Sequence, residues 1–227
     1  MKKYIILIVS FIMCVILSVV INNYIDNNSK YTNDELRFKE EYESINNKEW
    51  EISGYKGNYL DISIPKNNLV KYATNDNIVE LLDKGTHIIY FGNSKCNWCR
   101  SAITVLIDTA IEYNLNEIYY YDFFSLRDAY EEGSNKDLVK LYDDIISRLD
   151  SFIEKTFDEN SKVAGKKRLS APTVVAVSNG KVEDAHYKTV DNHVDYNKDL
   201  DDNQKEELKM IYKDMFDKLV YACTENC

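Results

Sequence analysis

The chain has 227 residues and a formal net charge of -10, with 38 acidic against 28 basic residues. This length allows one domain with a sizeable hydrophobic core. The acidic balance and the lack of a basic stripe argue against nucleic acid as a partner.

The N-terminus is typical of a signal anchor. Two lysines precede an uncharged run from Tyr4 to Ile21, and at ~1.5 Å per residue its 18 positions span about 27 Å of helix, enough to cross a bilayer core. The residues after the run make a poor cleavage site, and Cys14 lacks the small neighbours of a lipoprotein box. We therefore expect residues 1–25 to form an uncleaved transmembrane anchor of a single-pass cell-membrane protein, with the rest of the chain outside the cytoplasm.

Residues 26–50 are polar and charged, which predicts a stalk between membrane and domain, with a short helix over Asp34–Ile45. Residues 51–227 follow as one folded domain. Its first part, from Trp50 to Pro65, is predicted to be extended and to supply the leading strand. Apolar residues at helical spacing then predict the first helix over Asn77–Lys84.

A Cys-x-x-Cys motif comes next. The apolar run from His87 to Phe91 is typical of a buried strand, and apolar residues recur at helical spacing after Cys99. Cys96 and Cys99 are thus predicted at a strand-to-helix turn, where free N–H groups and the helix dipole favour thiolate over thiol. Because the thiolate attacks disulfides, Cys96 is the candidate nucleophile and Cys99 the candidate resolving thiol. Half a zinc site has the same spacing, so the motif by itself leaves both chemistries open.

The second half of the domain contains further elements. An amphipathic pattern predicts a long helix over Asp137–Phe157, within an insertion at residues 125–168 that covers one side of the sheet rather than serving as a partner platform. Pro172 directly precedes a strand over Thr173–Val177, and an Asn-Gly pair after it predicts a hairpin turn. An amphipathic helix closes the chain.

This order of elements, with the dithiol and the pre-strand proline, resembles the thioredoxin fold over residues 60–222. The resemblance implies an α/β domain: a thioredoxin-like sheet with flanking helices and a helical insertion before the strand that follows a cis Pro172. It also implies that Ala171 pairs with the substrate backbone, with Thr173 and Trp98 beside it. The implied activity is thiol–disulfide exchange without cofactor or metal, on exported proteins or peptides, with a membrane redox partner to recharge the dithiol.

Three positions depart from the thioredoxin pattern. The buried acid on the strand before the motif is replaced by Tyr90, the tryptophan before the first cysteine by Lys95, and the intervening Gly-Pro by Asn97-Trp98. The motif is more similar to that of anchored thioredoxin-like proteins described as bacteriocin-transport accessory factors, which implies disulfide handling for exported peptides. The missing acid keeps an alternative open, a redox-inert module that binds an exported peptide or a membrane partner.

The tail carries two more cysteines. Cys223 and Cys227 are expected to form a local disulfide outside the cytoplasm. Two alternatives are an electron relay to the Cys96 pair and a zinc site that combines the two pairs.

Other charged and titratable residues receive structural interpretations. The basic run 166–168 precedes Pro172, and its end should lie near the dithiol. It is expected either to form a solvated loop or to stabilise the thiolate. His186 and His193 lie in a polar stretch and are expected on the surface.

Overall fold

The computed structural model describes Met13 and residues 33–52, 54–155 and 164–226. Apart from Met13, the predicted anchor at residues 1–25 lies outside this part of the chain. Within it, no helix combines the length and the apolar character needed to cross a membrane.

The described helices and strands are, in chain order, α1 (Asn33–Glu43), β1 (Glu49–Ile52), β2 (Tyr55–Asn58), β3 (Val70–Tyr72), α2 (Ile78–Asp83), β4 (His87–Gly92), α3 (Asn97–Glu112), β5 (Ile118–Asp122), α4 (Phe124–Glu132), α5 (Lys136–Arg148), β6 (Thr173–Ser178), β7 (Lys181–Tyr187) and α6 (Asp202–Asn226).

A mixed five-stranded sheet in the order β3-β5-β4-β6-β7 forms the centre of the domain. The strands β3, β5 and β4 are parallel, whereas β6 runs antiparallel to β4 and β7 antiparallel to β6. The central strand β4 is buried on both faces, as its apolar sequence predicted. An α/β fold with flanking helices is therefore confirmed, and its topology is compatible with the thioredoxin-like fold.

Helices cover both faces of the sheet because side chains alternate along each strand. Ile88 and Tyr90 of β4 belong to a core shared with α1, α3 and α6. Ile89 and Phe91 point to the other face and belong to a second core, shared with α2, α4 and α5. The reactive motif at the start of α3 thus lies at the edge of the first core.

The predicted hairpin is present between β6 and β7. Asn179 and Gly180 both have positive φ angles, 51° and 74°, as a two-residue type I′ turn requires. A Cβ atom on Gly180 would lie 2.2 Å from the carbonyl oxygen of Asp83, so the close approach to α2 also requires glycine.

In its described part, residues 125–155 and 164–168, the insertion contains two helices rather than the single long one that the sequence predicted. α4 comes first, and α5 ends at Arg148, well before Phe157. The guanidinium of Arg148 binds the carboxylate of Asp83 at 2.6 Å and so connects the end of α5 to α2. Both helices pack on the second core, in agreement with a covering role.

The leading strand differs from the prediction. The segment expected to supply it forms instead a separate antiparallel pair, β1 and β2. A Cβ on Gly57 would lie 2.5 Å from the ring of Trp50, so this glycine lets the tryptophan fold across the pair. The first strand of the main sheet is β3, whose three residues are too short to show an alternating pattern.

The helix assigned to the stalk is part of the domain, which corrects the sequence interpretation. Phe38 and Tyr42 of α1 are fully buried, and the ring of Phe38 contacts that of Tyr120 at a centroid distance of 5.0 Å. The carboxylate of Asp34 accepts a hydrogen bond from the backbone N–H of Tyr72 at 3.1 Å. The polar composition of this segment concealed a narrow apolar face that only the tertiary structure covers.

We expect Phe38→Ala to lower the free energy of unfolding by about 3–5 kcal/mol, because it removes a buried ring from the core. Urea unfolding of the full chain measures the change. The control is Glu40→Ala on the exposed face of the same helix, for which a change within about 0.5 kcal/mol is expected. Equal effects of the two substitutions would contradict the placement of α1 in the core.

Candidate functional site

The two motif cysteines occupy different positions at the start of α3. Cys96 is the N-cap residue, with extended backbone angles, and its Sγ accepts a hydrogen bond from the backbone N–H of Cys99 at 3.3 Å. Both are free thiols. Cys96 is 8% exposed, whereas Cys99, one turn further, is completely buried. Of the two thiols, only Cys96 therefore keeps any exposed surface.

The thiols also differ in their tendency to ionise. A hydrogen bond from the Cys99 side chain lowers the pKa of Cys96 below its ordinary value, with help from the backbone N–H groups of Cys99 and Trp98 and from the charge of Arg127, against the opposing effect of burial. Burial raises the pKa of Cys99, and the adjacent Cys96 raises it further. Of the two thiols, Cys96 is therefore the one that ionises more readily.

The segment before β6 lies against the dithiol. The Ala171–Pro172 peptide bond is cis, as predicted, and the Sγ of Cys96 is 3.9 Å from the carbonyl oxygen of Ala171. The side chain of Thr173, by contrast, is buried, and its hydroxyl donates to the carbonyl oxygen of Ser170 at 2.7 Å. Of the predicted substrate contacts at residues 171–173, Ala171 is the one whose backbone carbonyl group lies beside the Sγ of Cys96.

Trp98 forms the centre of an aromatic row with three residues distant in sequence. Its ring meets His193 at a centroid distance of 4.7 Å and Tyr196 at 5.6 Å. Tyr196 in turn meets Trp50 at 5.8 Å.

The predicted surface position of His193 is wrong, because this residue is only 8% exposed. Its two ring nitrogens are hydrogen-bonded to Thr189 and to the carbonyl oxygen of Lys198. His186 is also half-buried, with a hydrogen bond to the Thr189 carbonyl oxygen.

A cavity of about 290 Å³ opens beside this row. Trp98, Ala171, Val190 and His193 line it, and Lys188 lies at its rim. The backbone N–H of Lys188 donates to the carbonyl oxygen of Pro172 at 2.8 Å, which holds the loop after β7 against the cis peptide. The cavity is therefore continuous with the backbone that the resemblance assigns to substrate pairing.

Asn97, between the cysteines, binds the β1–β2 pair. It is fully buried; its side-chain oxygen accepts from the backbone N–H of Leu60 at 3.0 Å, and its amide donates to the carbonyl oxygen of Asn58 at 3.0 Å. The role of Asn97 is not evident from its sequence position. The only sequence signal for a structural role is its place inside the motif, where a polar side chain has no evident chemical task.

Arg100 connects the same helix to α1 and its following loop. Its guanidinium is fully buried and donates to the carbonyl oxygens of Leu60 at 2.6 Å and Tyr42 at 2.8 Å. It also donates to the Ser94 carbonyl oxygen and, at 2.6 Å, to the side-chain oxygen of Asn46. A protein tolerates a buried guanidinium when acceptors satisfy its N–H donors, and here carbonyl and amide oxygens accept these hydrogen bonds.

The basic run before Pro172 does not supply the cation near the dithiol. Lys167 pairs with Asp150 at 2.8 Å and Arg168 with Glu131 at 2.5 Å, both on the insertion. The charge that favours the Cys96 thiolate belongs instead to Arg127 of α4, whose guanidinium lies 4.1 Å above the ring of Phe124. Nothing local in the sequence marks this residue.

The tail cysteines remain predictions. Cys223 falls in α6, but its side chain, like the whole of Cys227, lies outside the described part of the chain. Among the residues that are described, no three Asp, Glu, His or Cys side chains gather as metal ligands do.

No family model matches this chain. A search of curated proteins also finds no match.

We expect Cys96 to keep its reactivity to lower pH than a free cysteine. A lowered pKa keeps the thiolate populated as the pH falls below about 8.5, until the pH passes the pKa of the folded protein. The measurement is the rate of iodoacetamide alkylation against pH, by mass spectrometry, in the full chain with Cys14, Cys223 and Cys227 replaced by serine.

Cys99→Ala is the matched variant, because it removes the side-chain hydrogen-bond donor that is the largest cause of the shift. It should move the alkylation profile of Cys96 to higher pH. If the alkylation profile of Cys96 in the parent protein has the same midpoint pH as that of a free cysteine, the lowered pKa of Cys96 is contradicted.

Arg100→Lys should lower the free energy of unfolding by about 2–5 kcal/mol, because an ammonium group cannot reproduce the donor geometry of a buried guanidinium. Urea unfolding measures it. Arg37→Lys, at an exposed position of α1, serves as control and should cost less than about 1 kcal/mol. An unchanged free energy of unfolding in Arg100→Lys would show that these hydrogen bonds do not hold α1 in place.

Proposed function

We propose that this protein is a membrane-tethered thiol–disulfide oxidoreductase of thioredoxin-like fold that acts outside the cytoplasm on exported proteins or peptides. The observation that carries the proposal is the position of Cys96: an N-cap thiol with a lowered pKa, 3.9 Å from the Ala171 carbonyl oxygen. The predicted anchor at residues 1–25 supports the location, and the dithiol supports the chemistry without any cofactor.

The reaction follows from the two thiols. The Cys96 thiolate attacks a client disulfide, so that a Cys96–client bond forms, the client disulfide breaks and one client thiolate leaves. Cys99 then loses its proton and attacks the Sγ of Cys96. The Cys96–Cys99 disulfide forms, the bond to the client breaks, and the departing thiolate takes up a proton. The client gains the two electrons that the dithiol loses, and the reverse sequence oxidises a client.

The cavity beside Trp98 supports a place for the client. A chain that pairs with the backbone of Ala171 brings its cysteine to Cys96, and the next side chain then falls over the cavity. Trp98 and Val190 give that cavity an apolar wall. An exported peptide with an apolar residue next to its cysteine fits this arrangement.

One observation favours a second function, that of a redox-inert binding module. Cys96 is only 8% exposed, while the adjoining cavity, at about 290 Å³, is large enough for a side chain. A protein that only held an exported peptide would need the cavity and not the thiols.

Reduction of a disulfide-bonded peptide by the full chain separates the two functions. The starting protein is the dithiol form with its other cysteines replaced by serine. Cys96→Ser should abolish reduction, because no thiolate attacks the client, whereas Cys99→Ser should accumulate the mixed disulfide on Cys96, which mass spectrometry detects. If the parent does not reduce the peptide, and the parent and both variants bind it equally well, the protein is a binding module.

A further inference from the structure

The loop after β7, residues 188–198, contacts the surroundings of the reactive cysteine on two sides. At its start, the backbone N–H of Lys188 donates to the carbonyl oxygen of Pro172 at 2.8 Å, beside the cis peptide whose oxygen lies 3.9 Å from the Sγ of Cys96. Near its end, Tyr196 binds the first turn of α3. The 188–198 loop therefore passes around Cys96 from the cis-proline side to the helix side.

Tyr196 lies against the peptide groups on either side of Cys96. Its hydroxyl accepts a hydrogen bond from the backbone N–H of Asn97 at 3.2 Å and donates to the carbonyl oxygen of Lys95 at 3.5 Å. These two groups belong to the peptide bonds that directly follow and directly precede Cys96. The half-buried phenol thus occupies space beside the nucleophile on the side that faces solvent.

Neighbouring side chains hold Tyr196 in this position. Its ring meets those of Trp98 and Trp50 edge to face, at centroid distances of 5.6 and 5.8 Å, a favourable arrangement for aromatic pairs. The ring of His193 is hydrogen-bonded near both ends of the 188–198 loop and so fixes its shape. The loop is therefore a firm part of the site in this structure.

The low exposure of Cys96 limits which disulfides can reach it. Its side chain is 8% exposed, yet exchange requires the incoming sulfur to touch Sγ and to lie in line with the breaking bond. An extended chain meets this requirement, because it can place its backbone against Ala171 and one side chain in the cavity of about 290 Å³. The convex surface of a folded domain meets the Tyr196 ring and the 188–198 loop first.

We propose that Tyr196 and the 188–198 loop select disulfides in extended, flexible peptide segments and exclude disulfides on the surfaces of folded domains. Tyr196 is then a specificity-determining residue. The inference rests on the proposed function and deepens it by naming the substrate class. The exchange itself is the one described above, in which the bond from Cys96 to the client forms as the client disulfide breaks and one thiolate leaves.

Two clients that carry the same disulfide in different surroundings test this. One is a small folded domain with glutathione bound to a cysteine on an exposed helix. The other is a peptide of about ten residues with the sequence of that helix and glutathione on the same cysteine, too short to stay helical in water. Each is mixed with the full-length dithiol protein whose other cysteines are serine, and mass spectrometry follows the loss of glutathione from the client.

The measured quantity is the ratio of the rate on the peptide to the rate on the folded domain. Dithiothreitol, a small dithiol, gives the ratio that the accessibility of the two clients sets by itself. The parent protein should exceed that ratio at least about tenfold, because the folded domain cannot bring its sulfur into line with Sγ of Cys96.

Tyr196→Ala opens the helix side of the site and should lower the ratio about threefold or more by raising the rate on the folded domain. Tyr196→Phe keeps the ring contacts but loses both hydrogen bonds of the hydroxyl, and its ratio should lie between those of the parent and Tyr196→Ala. The matched control is Val194→Ala, on the same loop but 82% exposed and outside the aromatic row. It should keep the ratio of the parent.

Because both clients meet the same protein sample, a smaller active fraction lowers the two rates together and leaves the ratio unchanged. A parent ratio equal to that of dithiothreitol, or equal ratios in Tyr196→Ala and Val194→Ala, would overturn the inference and leave the oxidoreductase standing. If Tyr196→Ala does not fold, an unchanged ratio in Tyr196→Phe overturns it. If the parent reduces neither client, the proposed function itself fails.

Discussion

The first turn of α3, directly after Cys96, carries the donors that hold the N-terminal segments to the domain. Asn97 fastens the β1–β2 pair, and Arg100 binds backbone carbonyls of α1 and of the chain that follows β2. These hydrogen bonds are made by buried groups, so each lost donor would leave an unsatisfied oxygen in the core. The packing of α1 and of the β1–β2 pair therefore depends on the residues that follow Cys96.

This arrangement explains why two cysteines separated by two residues have opposite environments. Cys96 precedes the helix and receives its free N–H groups, whereas Cys99 has turned inward towards the sheet. α1 closes that side of the core with Tyr42, and α6 closes it further with Tyr212. The burial of Cys99 thus depends in part on a segment whose composition is typical of a spacer.

The insertion contributes to the same site from the opposite face. Its first helix brings Arg127 close enough to favour the Cys96 thiolate, and the loop after β7 brings Val190 and His193 against Trp98. The group that lowers the pKa of Cys96 from a distance and those that line the adjoining cavity therefore come from segments about thirty and ninety residues away from the motif. A change in either segment can alter the surroundings of Cys96 without touching the cysteines.

The sequence by itself determined the strand-turn-helix around Cys96, the buried strand and hairpin after Pro172 and the α/β class, because these depend on local periodicity, turn residues and capping. Only the tertiary structure decided that α1 belongs to the core, that β3 leads the sheet and that His193 is buried beside Trp98. The physical reason is that each of these depends on burial against residues far away in the chain, whereas a local pattern records only the periodicity of its own segment.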